Sequence, residues 1–211
     1  MSKNSVLLST AYLAPVQYYS KLLHYDHVIM EKWENYNKQT YRNRCKIYGA
    51  NGVLNLIIPV VNNSQFKILI KDIEIDYSTH WQKLHWKSIE SAYRSTPYFP
   101  YFADNLYSYY KKKYKFLLDF NLEVQQTILD ILETDKKINF TAEYQANAEN
   151  DCRDLIHPKK QVSDIHFLDI PYHQVFSEKY GFQANLSILD LLFNEGMNAV
   201  TILQQSFKND Q

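Results

Sequence analysis

Ile188-Leu189-Asp190-Leu191-Leu192-Phe193-Asn194 is apolar nearly all the way round a helix, with Ser187 before it and Gly196 after it. A helix of this kind belongs inside a protein, so the rest of the chain must wrap around it. Asn185, Asp190, Asn194 and Glu195 are threaded through the segment. Each needs a partner, because burying such a group unpaired costs roughly 1–3 kcal/mol. They are internal scaffolding or the wall of a site. Ser187 and Asp190 have the spacing of a capping box, and Gly196 fits the left-handed position that ends a helix. Asp190 therefore reads either as a cap or as a substrate-binding carboxylate that orients a cation or water in a cleft.

Upstream, strand and helix signals alternate. Val6–Ser9 and His27–Met30 read as strands around a helix from Pro15 to Leu23, an α/β start with a short crossover. Residues 41–48 and 53–60 flank Gly49-Ala50-Asn51-Gly52, a hairpin signal. The second run is nearly continuous apolar and reads as a central strand. Residues 66–70 and 73–77 read as further strands. Thr79 and Gln82 have capping-box spacing. Trp81, Leu84, His85, Ser88, Ile89, Ala92 and Tyr93 then form an amphipathic stripe. Helices are expected over about 101–113 and 122–133, and a strand over 138–144. Residues 146–161 are polar and aperiodic, a surface loop or a lid. The sum is one compact α/β domain over 1–211, a mixed sheet with flanking helices.

Composition removes several function classes. With 4 glycines in 211 residues there is no dinucleotide-binding GxGxxG turn and no phosphate-cradling GxxxxGK[ST] loop. Lys plus Arg and Asp plus Glu are 23 each, so no overall field draws in polyanions and a nucleic-acid partner is disfavoured. No apolar run approaches the roughly 18 residues that cross a bilayer. Cys45 and Cys152 stand alone, which fits a cytosolic protein with reduced thiols.

Four groups of residues could carry chemistry. On a strand, Arg42, Arg44 and Lys46 point the same way, near Lys38 and Asn43. Three cations in a row face either surface acids or an anionic ligand, which arginine's planar fork grips in bidentate fashion. Glu31, at the end of the second strand, is placed for a general base or for an ion pair with Arg42. His85, with Ser88 on its face, is either a proton carrier or a satisfied core histidine. Asp190 completes the set. His80 and His85 do not share a face and no HExxH is present, so no metal site is expected. Nothing in the sequence specifies a cofactor.

These blocks resemble the WbqC-like protein family. The resemblance rests on residues 8–18, the Lys38-to-Arg44 run with its Arg-Asn-Arg core, and Asn51-Gly52 leading to Ile58-Pro59-Val60. It continues through Trp81, His85 and Trp86, Ala92-Tyr93 with Pro97-Tyr98-Phe99, and the closing 172–176 and 185–196 blocks. The chain departs from the family's Gln-Pro-x-Tyr-x-Pro stretch, keeping Pro15 alone. The family takes its name from clusters that build surface sugars. The resemblance brings no reaction with it, and the leading expectation is a cytosolic enzyme that transfers or activates a group on an anionic small molecule such as a sugar nucleotide. Arg42, Arg44, Lys38 and Asn43 would hold the substrate, Glu31 or His85 would move the proton, and the 146–161 loop would close. The competing expectation is a non-catalytic scaffold that binds a metabolite or a protein.

Overall fold

The structure, a computed structural model, describes residues 4–61, 67–160 and 162–209. Its centre is β1 (Ser5–Ser9), buried along its whole length. Helix α1 (Val16–His24) follows, with Pro15 at its N-cap, where a missing N–H costs nothing. The chain returns as β2 (His27–Glu31), paired parallel to β1 from Ser5↔His27 to Ser9↔Glu31. Much later β5 (Ile138–Phe140) adds in parallel to the outer side of β2. The chain then crosses to the other side of β1. There Leu7 donates to the Asn150 carbonyl (3.0 Å) and accepts from the Cys152 N–H (2.9 Å), another parallel pairing.

Between these lies a hairpin, β3 (Arg44–Gly49) and β4 (Gly52–Ile57), turned by Ala50-Asn51. The α/β expectation holds, with parallel and antiparallel pairing in two separate sheets. The central position expected for β4 does not. Among the described residues its only strand partner is β3, and Val53, Leu54 and Ile57 are each more than 40 % exposed, while Leu56 and Ile58 face the core. Apolar content alone could not separate a sheet interior from an apolar rim. Residues 67–77 form no strand either. A single 3-10 turn at Ile70–Asp72 drops Ile70 and Ile73 into the core, and only isolated bridges tie Leu69 to Asn35, Ile75 to Val60 and Glu74 to Phe116. Phe66, like Gln161, lies outside the described residues.

The helices are α2 (Trp81–Tyr93), α3 (Phe99–Lys111), α4 (Leu117–Ile131), the single turn α5 (Ser177–Tyr180), α6 (Ile188–Glu195) and α7 (Asn198–Gln205). Helix α2 has no capping box. His80 is its N-cap, and Gln82 instead donates to the carbonyls of Tyr109 (3.3 Å) and Lys112 (2.6 Å) at the end of α3. Its stripe buries Trp81, His85, Ile89, Ala92 and Tyr93 but leaves Leu84 exposed. Helix α6 is buried from Ile188 through Asn194, as its apolar circumference demands. It stops at Gly196 with φ +57° and ψ −129°, outside the expected left-handed helical region and open essentially only to glycine. A Cβ there would lie 2.4 Å from the Tyr98 ring.

Candidate functional site

In a parallel sheet every strand delivers its carboxyl end to the same edge. Ligands favour the crevice where successive connections leave in opposite directions. Here that switch falls at β1, with β2 on one side and residues 150–152 on the other. The loops leaving these strands converge on a cavity of about 380 Å3 whose walls include Glu34, Tyr36, Arg42, Tyr144, Asp151 and Arg153.

Arg42 does not share a strand face with Arg44 and Lys46, because β3 begins at Arg44. It sits in the preceding turn, 3 % exposed, and reaches back under the sheet edge. Its Nε and Nη2 donate to the Glu34 carboxylate (2.9 and 2.5 Å), and Nη2 also donates to Ser9 Oγ at 2.6 Å. A bidentate pair with a further hydrogen bond is the geometry that makes a buried ion pair tolerable. Asn43 is buried too, donating to the Ile58 carbonyl (2.8 Å) and pinning the base of the hairpin. Arg44 joins no ion pair among the described residues, and its Nε is buried without a hydrogen-bond partner. Lys38 is exposed on the loop before it.

Glu31 is fully buried at the end of β2. One oxygen accepts from the Trp33 N–H (2.7 Å) and Thr141 Oγ1 (2.8 Å), the other from the Gln145 N–H (2.8 Å). Arg153 Nη1 lies 3.7 Å away. Arg153 is itself gripped by Asp151, through Nε at 2.9 and 3.1 Å and Nη2 at 2.5 Å, which raises its pKa further. Glu31 thus ties the end of β2 to the chain leaving β5.

The 146–160 segment lies across this region. Lys46 Nζ donates to the Pro158 carbonyl (2.8 Å) and Lys159 Nζ to Gln39 Oε1 (2.5 Å). His157 Nδ1 accepts the N–H groups of Lys159 and Lys160, both at 3.0 Å, leaving the ring proton on Nε2. Partial burial, Lys160 and the nearby charges of Arg42 and Arg44 hold its pKa below the ordinary histidine value. At neutral pH it is an uncharged Nε2–H donor.

Of the residues singled out in the sequence only Arg42 lines the crevice; Glu31, Lys38, Asn43 and Arg44 lie beside it, and His85 and Asp190 lie elsewhere. His85 is buried under α2. Its Nε2 donates to the Ile57 carbonyl (3.2 Å), its Nδ1 accepts from Tyr12 Oη (3.0 Å), and Tyr12 in turn accepts from Tyr110 (2.7 Å). Burial lowers its pKa to about 4. Asp190 accepts from Tyr172 Oη and Gln174 Nε2, both at 2.8 Å, and its N–H goes to the Ser187 carbonyl. Ser187 Oγ caps Leu189 (3.3 Å), but the Ser187 N–H goes to the Lys46 carbonyl, so only half of the capping box exists. Burial pushes Asp190 up to about 6, against the pull of its hydrogen bonds from Tyr172, Tyr93 and Gln174.

Asn185, at φ +51°, pairs reciprocally with Gln17, both bonds 3.0 Å. Gln17 in turn donates to Asp164 (2.8 Å), which holds the buried Lys21 at 2.9 Å. The structure therefore brings Glu31, Arg42, Asn43 and Arg44 to one region and sets His85 and Asp190 apart. Sequence reasoning missed Glu34, Asp151, Arg153 and His157. Glu34 was legible as a second acid just past β2, whereas the other three sit on an aperiodic segment with no signal. Among the described residues no three His, Cys, Asp or Glu side chains group as metal ligands, and no helix is long and apolar enough to cross a membrane.

The sequence model of the WbqC-like protein family matches residues 10–163, a span holding every residue of the crevice and ending before Asp190. The uncharacterized protein Rv1507c of Mycobacterium tuberculosis is 24 % identical over 228 residues, covering 96 % of this chain and 98 % of its own length. No solved structure matches.

Proposed function

Since this chain belongs to the WbqC-like protein family, we propose that it is a cytosolic group-transfer enzyme acting on an anionic small molecule, of the sugar-nucleotide kind used in surface-polysaccharide assembly. One observation carries the reading: the carboxyl ends of the parallel strands open onto a cavity walled by two guanidinium groups, Arg42 and Arg153. Each is already fixed by a carboxylate, so neither must be ordered when ligand arrives. Arg44, held by no acid among the described residues and close enough to act on the crevice residue Tyr36, supplies the uncompensated charge for phosphate or carboxylate. Lys38 stands exposed on the approach, and His157 lines the neighbouring cavity together with Lys46. Glu34 lines the cavity with both oxygens held by Arg42 and fixes that guanidinium, while Glu31 holds the frame. The 146–160 segment, bound to β3 through Lys46, closes over the substrate.

The test is a ligand panel of sugar nucleotides, amino acids and acyl donors read by stabilisation against urea. A true ligand at a hundred times its Kd adds about 2.7 kcal/mol. Arg44→Ala should abolish that gain, and mass spectrometry of the ligand pair should show the transferred group. A flat panel refutes the reading. A second reading, a non-catalytic scaffold, draws on the exposed Val53, Leu54 and Ile57 of β4. It predicts a flat panel together with a protein partner lost on Leu54→Lys.

A further inference from the structure

A second cavity lies elsewhere. Helices α2 and α3 pack side by side, and between them opens a cleft of about 560 Å3 that shares no residue with the crevice. Trp86 from α2 and Tyr107 from α3 meet across it as a stacked pair, ring centres 4.6 Å apart and planes 26° from parallel. Tyr110, on the next turn of α3, lies 5.6 Å from Trp86. Both Trp86 and Tyr107 remain partly exposed, and Lys111 Nζ lies over the Tyr107 ring, 4.0 Å from its centre.

The rim is strongly one-signed. Lys83, Lys87, Lys111 and Lys113 line the cleft against a single acid, Glu90. None of the four is in an ion pair among the described residues, whereas Lys112, between two of them, is held by Glu123 at 3.3 Å. In a chain whose formal charge is zero, this concentration is local. The Lys111-Lys112-Lys113 run reads in the sequence as compensation of a helix dipole. The fold instead turns two of its members toward a cavity floored by rings. Four like charges against one acid are electrostatically unfavourable, and an anion relieves them.

A flat π surface beside clustered ammonium groups matches a ligand with an aromatic ring at one end and a multiply charged anion at the other. We propose that the α2–α3 cleft binds a nucleoside phosphate, its base stacked on Trp86 and its phosphates held by Lys83, Lys87, Lys111 and Lys113. A single stacked platform suits one base, whereas a single-stranded nucleic acid needs several in succession. Lysines are the fitting cations here, because point charges on flexible stems follow a phosphate without demanding bidentate geometry.

Isothermal titration with uridine 5′-diphosphate and adenosine 5′-diphosphate tests the assignment, with free nucleoside and inorganic pyrophosphate as the two half-ligands. Both diphosphates should bind, and each half-ligand should bind at least about tenfold more weakly. Trp86→Ala should cost about 10- to 100-fold in affinity. Because that change could loosen the helix pair, the exposed double variant Lys111→Gln/Lys113→Gln serves as a second arm. It should weaken binding and flatten its salt dependence while leaving the melting temperature unchanged. Arg44→Ala should leave this binding intact, which separates the cleft from the crevice. No heat with either diphosphate at millimolar concentration overturns the proposal. So does binding lost in Arg44→Ala but kept in both cleft variants. A short oligonucleotide that binds a hundredfold more tightly than the mononucleotides overturns it in favour of a nucleic-acid surface.

Discussion

Two buried titratable groups should pull the stability of this protein in opposite directions over the same pH range. Asp190 holds its proton more tightly in the native state, about 6 against 3.8, because burial disfavours the carboxylate. Ionising it costs the fold nothing below pH 3.8 and the full amount above about 6, so its contribution falls as pH rises. Two pKa units at 1.36 kcal/mol each make that loss ~3 kcal/mol. His85 does the reverse. Its pKa is about 4 in the fold and 6.5 when free, so keeping it neutral is a penalty at pH 4 that vanishes by pH 6.5, a gain of again ~3 kcal/mol. In the wild type the two nearly cancel. Asp190→Asn removes one arm, and urea midpoints from pH 3.5 to 7.5 should then show stability climbing ~3 kcal/mol more steeply than wild type. His85→Gln should show the opposite tilt, and the double variant should restore the wild-type slope. Other carboxylates contribute equally to all four proteins and drop out of the comparison. If the Asp190→Asn profile runs parallel to wild type to within about 0.5 kcal/mol across that range, the assignment of these protonation states is wrong.

Two further expectations concern the frame. Glu34→Ala leaves the Arg42 guanidinium buried without its carboxylate and should destabilise by about 3–5 kcal/mol in urea, whereas Glu34→Leu with Arg42→Met should recover most of that loss. Gly196→Ala forces a Cβ against the Tyr98 ring at a glycine-only backbone conformation and should cost about 1–3 kcal/mol. Gly49→Ala, where the nearest atom is 3.8 Å away, should change the denaturation midpoint by no more than about 0.5 kcal/mol.

The local pattern carried the elements whose neighbours in space are neighbours in sequence. The β1–α1–β2 unit, the hairpin turned by Ala50-Asn51 and the buried α6 were all legible from periodicity and turn chemistry. β4 was misread because a run of apolar residues records hydrophobicity and not the number of partner strands. Arg42 was put in a row with Arg44 by strand alternation, but the strand begins two residues later and its partner, Glu34, comes from the loop after β2. His85 was visible as a histidine on an apolar stripe. Nothing in the sequence announced that Tyr12, 73 positions away, would satisfy it. The crevice itself is assembled from three loops between residues 32 and 154, and Asp151 and Arg153 enter it from a stretch without period. A single sequence can name such residues only after the sheet order is known.

The pairing of Leu7 with residues 150–152 also bears on how the chain acquires its shape. β1 meets β2 after a short excursion, yet its other edge stays open until some 140 further residues have been made. The bridge from Pro15 to Ser187 waits longer still. Closing contacts of that span slows folding. During synthesis the earliest strand therefore leaves the ribosome with one hydrogen-bonding edge bare, an opening that a chaperone or a neighbouring nascent chain could occupy first.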